Sequence, residues 1–226
     1  MKFRFFIVLG ITLVFFGCKK GDNSPVSFHY DYYPILKGHY VVYDVLEVRH
    51  DVQAIIQRDS SSYQLKVVIG DTILDLENEI ANRFFRYTRS DESQQWQLKD
   101  VWTTKLSSNR AELVEENQRV IKLVFAPSKD KNWNANAFNT FNKLDCVYED
   151  IHKPKTISGY NFDSTLVVEQ EDFFSLIDHR RKYEVYAKGV GLVRKFYKDH
   201  QIMNFDTLDI RKGNEVHYNL VEFGVE

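Results

Sequence analysis

Cysteine, proline and glycine are scarce in this chain of 226 residues, which contains two, four and ten of them. Their scarcity excludes collagen-like and low-complexity chains. Hydrophobic residues make up 43% of the chain and aromatic residues 15%, so a disordered chain is excluded as well. The length and hydrophobicity together predict one globular domain with a core of ordinary size.

An excess of either charge is also missing. The 30 Lys and Arg residues are balanced by 32 Asp and Glu residues, so the formal net charge is −2. A protein that binds nucleic acid through its phosphates carries a clear basic excess. We therefore expect no nucleic-acid partner.

The longest apolar run lies at the N-terminus. Residues 5–16 are apolar except for Gly10 and Thr12, and they follow the basic residues Lys2 and Arg4. This pattern is typical of a secretory signal peptide. The run is shorter than the roughly 20 apolar residues that a membrane-spanning helix needs. An uncleaved N-terminal anchor is the alternative interpretation.

Cys18 comes just after this run and resembles the cysteine of a bacterial lipobox, where the signal is removed and the cysteine is acylated. Phe15 and Phe16 stand where a lipobox usually has an aliphatic and a small residue. The resemblance implies a lipoprotein signal peptide at 1–17, lipidation of Cys18 and an acylated tether at 18–27. Since such proteins carry more than one acyl chain, we expect a stable membrane anchor in the cell envelope, at the outer membrane. The periplasmic and surface sides both stay open.

Cys146 is the remaining thiol if Cys18 is acylated, so the fold contains no intramolecular disulfide. On a predicted strand, Cys146 shares a face with Leu144 and Tyr148. We therefore interpret it as a buried, inert thiol. A nucleophile paired with a distant histidine is the alternative.

Beyond the tether, apolar residues recur with a period of two more often than 3.6, which predicts strands. Most links between them are short and contain Gly, Asn, Asp or Ser, so neighbouring strands should pair antiparallel. We predict about ten strands, in the segments 40–48, 63–69, 84–87, 96–102, 111–114, 120–125, 144–148, 165–169, 183–187, 192–197 and 216–222.

So many antiparallel strands in about 200 residues must close or curl. The predicted fold is mainly β. It is a single antiparallel, strongly curved sheet, or an open barrel or sandwich, across residues 28–226. Few short helices are expected, at 75–83 and 171–177.

Three stretches resemble uncharacterised cell-envelope lipoproteins of Bacteroidetes. They are the segment from Tyr32-Tyr33-Pro34 to the strand at 40–45, the loop 132–139 with Trp-Asn-Ala-Asn, and the hairpin 186–193 with Ala-Lys-Gly-Val-Gly-Leu-Val. The resemblance implies a compartment and a class of protein, without an activity. Independently of it, Gly189 and Gly191 flank Val190 in a way that suits a tight turn with positive φ.

The central loop begins like a calcium site, because Asp130, Asn132 and Asn134 alternate as oxygen donors. The sixth position is Ala135 where the EF-hand motif needs glycine, and the twelfth is Phe141 where it needs glutamate. We therefore favour asparagine side chains that cap the loop backbone as Asx turns.

A sugar-binding site is the functional alternative for this loop. Trp133 offers an apolar face, and Asn134 and Asn136 offer donors and acceptors. These three residues are the candidate ligand-binding residues.

The seven histidines show no metal-binding spacing, and no P-loop, GxSxG or GxGxxG motif is present. In the pairs His50-Asp51, Asp178-His179 and Asp199-His200, the two side chains point to opposite faces of a strand, so we interpret them as surface pairs. We predict no catalytic residue, no cofactor and no metal.

Three short motifs, each an Asp followed by Ser or Thr and then by an aliphatic residue or Thr, resemble the O-glycosylation site of Bacteroidetes. The possible acceptors are Thr72, Ser164 and Thr207. A glycan is bulky, so an acceptor must lie exposed at the surface.

The sequence therefore predicts a membrane-anchored envelope lipoprotein without catalytic activity. Its domain would bind an apolar or glycan ligand, or another envelope protein. A hydrolase of envelope polymers is the alternative. It would use Cys146 or carboxylates such as those of Glu112, Glu115 and Glu116.

Overall fold

The computed structural model of the chain describes residues 27–226. The predicted signal peptide at 1–17 and the lipidation site Cys18 lie outside the described residues. Within 27–226, no helix combines the length and the apolar character needed to cross a bilayer.

The described residues form twelve strands after a short 3₁₀ helix, Tyr30–Tyr32. The strands are β1 (His39–Asp51), β2 (Arg58–Leu74), β3 (Ile80–Arg89), β4 (Gln97–Leu106), β5 (Arg110–Glu115), β6 (Gln118–Val124), β7 (Asn132–Asn134), β8 (Asp145–Ile157), β9 (Tyr160–Phe174), β10 (Asp178–Ala187), β11 (Gly191–Met203) and β12 (Asp206–Val225).

The prediction of a mainly β protein with one strongly curved antiparallel sheet is confirmed. All twelve strands belong to one sheet, in the order β6-β5-β4-β3-β2-β1-β12-β11-β10-β9-β8-β7. Consecutive strands pair as antiparallel hairpins in each half, and the pairing of β1 with β12 joins the halves. Each of the eleven predicted segments falls on one of these strands. The remaining strand, β7, has only three residues, too few to show an alternation.

The two short helices predicted at 75–83 and 171–177 are wrong. Between β2 and β3, the carboxylate of Asp75 accepts hydrogen bonds from the N–H groups of Glu77 and Glu79, at 2.8 and 2.9 Å. An acid such as Asp75 is also common in the first turn of a helix, but in this segment it caps a tight turn. Residues 171–174 extend β9, where Glu171 lies opposite Lys182 of β10.

The curvature brings the two edge strands of the sheet together. The N–H of Ile121 in β6 donates to the carbonyl of Ala135 just after β7, at 2.9 Å. Arg119 and Phe138 form an isolated antiparallel bridge beside this bond. The sheet is therefore nearly closed, and these contacts protect edges that would otherwise pair with other chains.

The core consists of two adjoining clusters of buried side chains. The first includes Tyr32 and Tyr186, and the second includes Val45 and Leu65. Leu192 packs against both clusters. The 3₁₀ helix thus contributes an aromatic residue to the core before the first strand begins.

The glycine turn predicted between two strands is confirmed. Gly189 and Gly191 have φ values of 76° and 91°, in the hairpin that joins β10 to β11. The N–H of Gly189 also donates to the carbonyl of Asp31 at 2.7 Å. This bond holds the start of the domain against the hairpin.

Glu169 on β9 should make the stability of the fold depend on pH. Burial raises the pKa of Glu169 from 4.5 to about 7, against the attraction of Arg181 and with the help of the neighbouring Glu149. The folded state therefore prefers the protonated acid. The contribution of the protonated Glu169 to the stability of the folded state is therefore fully present below pH 4.5, and it is lost as the pH rises through 7.

We expect the Glu169→Gln variant to gain stability relative to the wild type as the pH rises from 5 to 8, because the amide cannot ionise. Urea unfolding at both pH values measures the difference in the free energy of unfolding. Glu92→Gln, at an exposed turn position, is the control and should show no such trend. A constant difference between the Glu169 variant and the wild type would contradict the prediction.

Candidate functional site

A cavity lies on the concave side of the curved sheet. Its volume is about 100 Å³, which is room for roughly three waters at about 30 Å³ each. We call it the inner cavity. Its polar and aromatic lining residues are Tyr33, His39, Tyr43, Phe84, Arg86, Trp102, Glu115, Lys122, Glu184, Tyr186, Lys195 and Tyr218.

The strand register explains how charged side chains reach this interior. Glu184 of β10 lies opposite Lys195 of β11, and Lys195 lies opposite Tyr218 of β12. Tyr218 in turn lies opposite the buried Val45 of β1. Directly opposed residues of an antiparallel pair point to the same face, so this row faces the core side of the sheet.

A buried ion pair crosses the interior from one half of the sheet to the other. Nζ of Lys122 on β6 lies 2.7 Å from Oε1 of Glu184, with the side chains only 11% and 2% exposed. The hydroxyl of Tyr186 donates to the other carboxylate oxygen of Glu184 at 2.6 Å. The carboxylate is thus held from two sides.

The two charges stabilise each other's ionised form. Burial alone would raise the pKa of Glu184, but the attraction of Lys122 and Lys195 outweighs it, so the pKa is lowered. Burial alone would lower the pKa of Lys122, but Glu184 and Glu115 outweigh it, so the pKa is raised. Both groups are therefore charged at neutral pH, and the interior is polar at this point.

An aromatic and cationic wall lies on the other half of the sheet. The guanidinium of Arg86 on β3 lies 3.8 Å from the ring centre of Trp102 on β4. Its Nη1 also lies 3.0 Å from a carboxylate oxygen of Asp100. The ring of Phe84 is nearly parallel to that of Trp102, with centroids 6.2 Å apart. This wall offers a flat apolar face beside a fixed positive charge.

Tyr33 connects the start of the domain to the cavity. Its hydroxyl and that of Thr104 on β4 are 2.9 Å apart. Burial raises the pKa of Tyr33 to about 12. The phenol is therefore neutral at physiological pH and can donate a hydrogen bond.

The candidate ligand-binding residues of the central loop lie away from this cavity. Trp133 on β7 is only 8% exposed, and its indole N–H donates to the carbonyl of Ile121 at 3.2 Å. Oδ1 of Asn134 accepts hydrogen bonds from the N–H groups of Asn136 and Leu144, at 3.0 and 2.9 Å. The predicted Asx turn is confirmed at Asn134, and the indole face of Trp133 belongs to the core.

The three possible glycosylation acceptors differ in exposure. Thr72 and Thr207 are exposed. Ser164 is half-buried, and its hydroxyl lies 2.6 Å from that of Tyr32. Only the two threonines therefore meet the requirement of exposure among the three.

Cys146 is buried, as the sequence predicts, with 1% of its surface exposed. Burial raises the pKa of its thiol to about 12. Because the thiolate is the nucleophile and the group is a thiol at neutral pH, Cys146 is inert. The hydrolase alternative therefore loses its candidate nucleophile.

Two of the three candidate carboxylates, those of Glu112 and Glu116, already have ion-pair or hydrogen-bond partners. The Glu112 side chain is 1% exposed and lies against Arg110, Lys105 and Arg119. Glu116 accepts a hydrogen bond from the indole of Trp102 at 3.2 Å. Glu115, by contrast, lines the inner cavity, which places one acid of this group at the site.

Apart from Glu115, sequence reasoning did not identify the charged residues of the inner cavity. One signal was available, since Lys122 interrupts the apolar run 120–124 and Glu184 lies between Tyr183 and Val185. A charged residue within an apolar strand points to a partner across the core. The identity of that partner depends on the pairing of distant strands.

Comparison with known proteins adds little to the geometry. No protein-family model and no curated protein matches the chain. Among solved structures, a protein from Parabacteroides distasonis described as a putative lipoprotein is similar, with a TM-score of 0.39 and 13% identity. The match covers 85% of this chain and 98% of that chain. Values this low do not establish a shared family.

Breaking the buried ion pair should strongly destabilise the fold. Lys122→Met leaves the carboxylate of Glu184 buried without its cation, which costs about 3–5 kcal/mol. In the double variant Lys122→Met/Glu184→Gln, we expect most of this loss to be recovered, because no charge is buried and an acceptor for Tyr186 is retained. Urea unfolding of the single and double variants measures the recovery.

Lys143→Met is the matched control, because its ion pair with Asp145 is exposed, at 68% and 60%. Its effect should stay below about 1 kcal/mol. If the double variant were as unstable as Lys122→Met, the buried carboxylate of Glu184 would not be the cause of the lost stability, and the prediction would be wrong.

Proposed function

We propose that this protein is a lipid-anchored envelope lipoprotein whose β domain binds a sugar unit of a glycan in the inner cavity. The observation that carries the proposal is the composition of the cavity wall, which combines aromatic faces with charged and hydroxyl groups. Ligand sites of this kind hold an apolar face of the ligand and orient its polar groups with a few convergent side chains.

The size and the charges of the cavity argue against a lipid. A volume of about 100 Å³ is too small for a long acyl chain. The ammonium of Lys122 and the carboxylate of Glu184 would also be desolvated against such a chain. The hydroxyl groups of a sugar can instead form hydrogen bonds with both charges.

The polar groups of the cavity suit hydroxyl groups. Nζ of Lys195 lies 5.3 Å from the ring centre of Tyr218, and within residues 27–226 it forms no ion pair shorter than 4 Å. It can therefore donate to a ligand held on that ring. Glu115 supplies an acceptor, and Trp102 supplies a second flat face.

The state of the acids supports binding rather than hydrolysis. Glycosidases need one carboxyl group whose pKa is raised so that it can act as a general acid. In the inner cavity, burial would raise the pKa of Glu184, but the attraction of Lys122 and Lys195 outweighs burial, so the pKa is lowered. Glu184 therefore stays ionised and does not act as a proton donor.

Trp102 should report sugar binding. We expect a glycan array to identify a bound mono- or oligosaccharide, and a titration with that sugar to change tryptophan fluorescence in a saturable way. Trp102→Phe should weaken binding at least tenfold, because the cavity loses its largest aromatic face.

The neighbouring pair of Trp96 and Arg89 provides a matched control. Their contact, at 4.3 Å, is also a cation–π contact next to the β3–β4 hairpin, but neither residue lines the inner cavity. Trp96→Phe should bind the sugar as the wild type does. Equal losses in both variants, or an array without any bound glycan, would count against the site.

Acylation of Cys18 is tested by the mass of the protein purified from a Gram-negative host. We expect a mass that lacks residues 1–17 and is raised by acyl chains. Cys18→Ser should lose the acyl chains, and Cys146→Ser should keep them, since that thiol is buried. An unprocessed wild-type chain would contradict the lipoprotein assignment.

A further inference from the structure

Three histidines and one glutamate meet on the face of the sheet opposite the inner cavity. His50 of β1 and His200 of β11 both lie opposite Gly213 of β12, which separates them. Glu215 follows two residues later on β12 and points to the same face. The rings of His50 and His200 are 4.9 Å apart and nearly perpendicular.

Gly213 makes this approach possible. It has a φ of +152°, and a Cβ placed on it would lie 2.2 Å from the carbonyl oxygen of Asp199 and 2.9 Å from Cδ2 of His200. Any side chain here would displace the imidazole. The row from His50 to His200 therefore depends on a position without a side chain.

The donor atoms have the spacing of ligands to one metal ion. Nε2 of His50 lies 3.2 Å from Oε1 of Glu215, and Nε2 of His200 lies 3.0 Å from the same oxygen. Donors bound about 2.1 Å from one ion at tetrahedral or octahedral angles are about 3.0–3.4 Å apart. One donor atom from each residue can be chosen so that all three lie within 4.8 Å of one another.

His200 lacks the hydrogen bonds that a buried imidazole needs. It is 2% exposed, and neither of its ring nitrogens makes a hydrogen bond with any residue in the described part of the chain. Nε2 is close to Glu215 without the alignment of a hydrogen bond. A buried polar group without a partner is unfavourable, and a cation between His200 and Glu215 would satisfy Nε2.

The carboxylate of Glu215 is already oriented by a third histidine, His217. Nε2 of His217 lies 3.0 Å from Oε2 of Glu215, the oxygen that His50 and His200 do not approach. The ring of His217 packs edge-on against Phe196, with centroids 4.8 Å apart. Ligating carboxylates are typically held in this way by an outer partner.

We propose that His50, His200 and Glu215 bind a divalent transition-metal ion, with Zn²⁺ as the reference ion. Two imidazoles and one carboxylate form a donor set suited to such ions. Since His50 and Glu215 are 11% and 19% exposed, water can take a further coordination position. The site is independent of the sugar-binding proposal, because it lies on the other face of the sheet.

A cluster of three acids elsewhere in the fold differs from the histidine cluster, because a lysine already occupies it. Asp75, Glu77 and Glu79 also converge, but Nζ of Lys105 lies 2.9, 3.1 and 2.6 Å from their oxygens. A lysine therefore already provides the positive charge there. The centre of the histidine cluster holds no such cation within the described residues.

The test is Zn²⁺ binding to the full-length protein in detergent at neutral pH, measured by calorimetry after treatment with a chelator. We expect one Zn²⁺ per chain and a higher melting temperature with Zn²⁺ present, because the ion binds the folded state. His50→Gln and Glu215→Gln should each weaken binding at least tenfold. His217→Gln should weaken Zn²⁺ binding about tenfold, because His217 holds the carboxylate of Glu215 in place.

His152→Gln is the matched control, because His152 and His29 form another histidine pair, with ring centroids 4.3 Å apart, outside the cluster. It should bind Zn²⁺ as the wild type does. X-ray absorption of the zinc-loaded wild type should show nitrogen and oxygen ligands including two imidazoles, whether or not the variants fold. No stoichiometric binding by the wild type, or equal loss in His152→Gln, would overturn the proposal.

Discussion

The buried ion pair between Lys122 and Glu184 is the interaction that sets the chemistry of the interior of the sheet. It joins the edge strand β6 to β10 on the other half of the sheet, at 2.7 Å and almost out of contact with water. Removal of Lys122 alone would leave the carboxylate of Glu184 buried without its cation, at a cost of about 3–5 kcal/mol. The pair keeps the inner cavity polar, and the sheet is closed by the contacts between β6 and the segment that follows β7.

The two faces of the sheet carry different chemistry because side chains alternate along each strand. On β12, Tyr218 faces the inner cavity, whereas Glu215 and His217 face the opposite side with His50 and His200. We propose a sugar-binding site on the first face and a metal-binding site on the second. Both arrangements depend on β12 lying between β1 and β11. One strand order therefore builds both candidate sites.

Most of the strands could be predicted because alternation of apolar and polar residues is a local property. The predicted helix at 75–83 was wrong because the acids of this segment cap a turn around Lys105, a contact that no local pattern reports. Trp133 was a candidate ligand-binding residue because of its apolar face, and the structure places that face in the core. Apart from Glu115, the charged residues of the inner cavity were missed because a charge in an apolar strand does not reveal its partner, and Lys122 and Glu184 are 62 residues apart.

Composition and periodicity by themselves determined the β class, the antiparallel hairpins and the inert state of Cys146, because these depend on neighbours within a few residues along the chain. Only the tertiary structure decided which charged side chains face one another. His50 and Glu215 meet across 165 residues, through the pairing of the first strand with the last. That pairing joins the two halves of the sheet, and it depends on contacts between residues far apart in the chain, which no local pattern encodes.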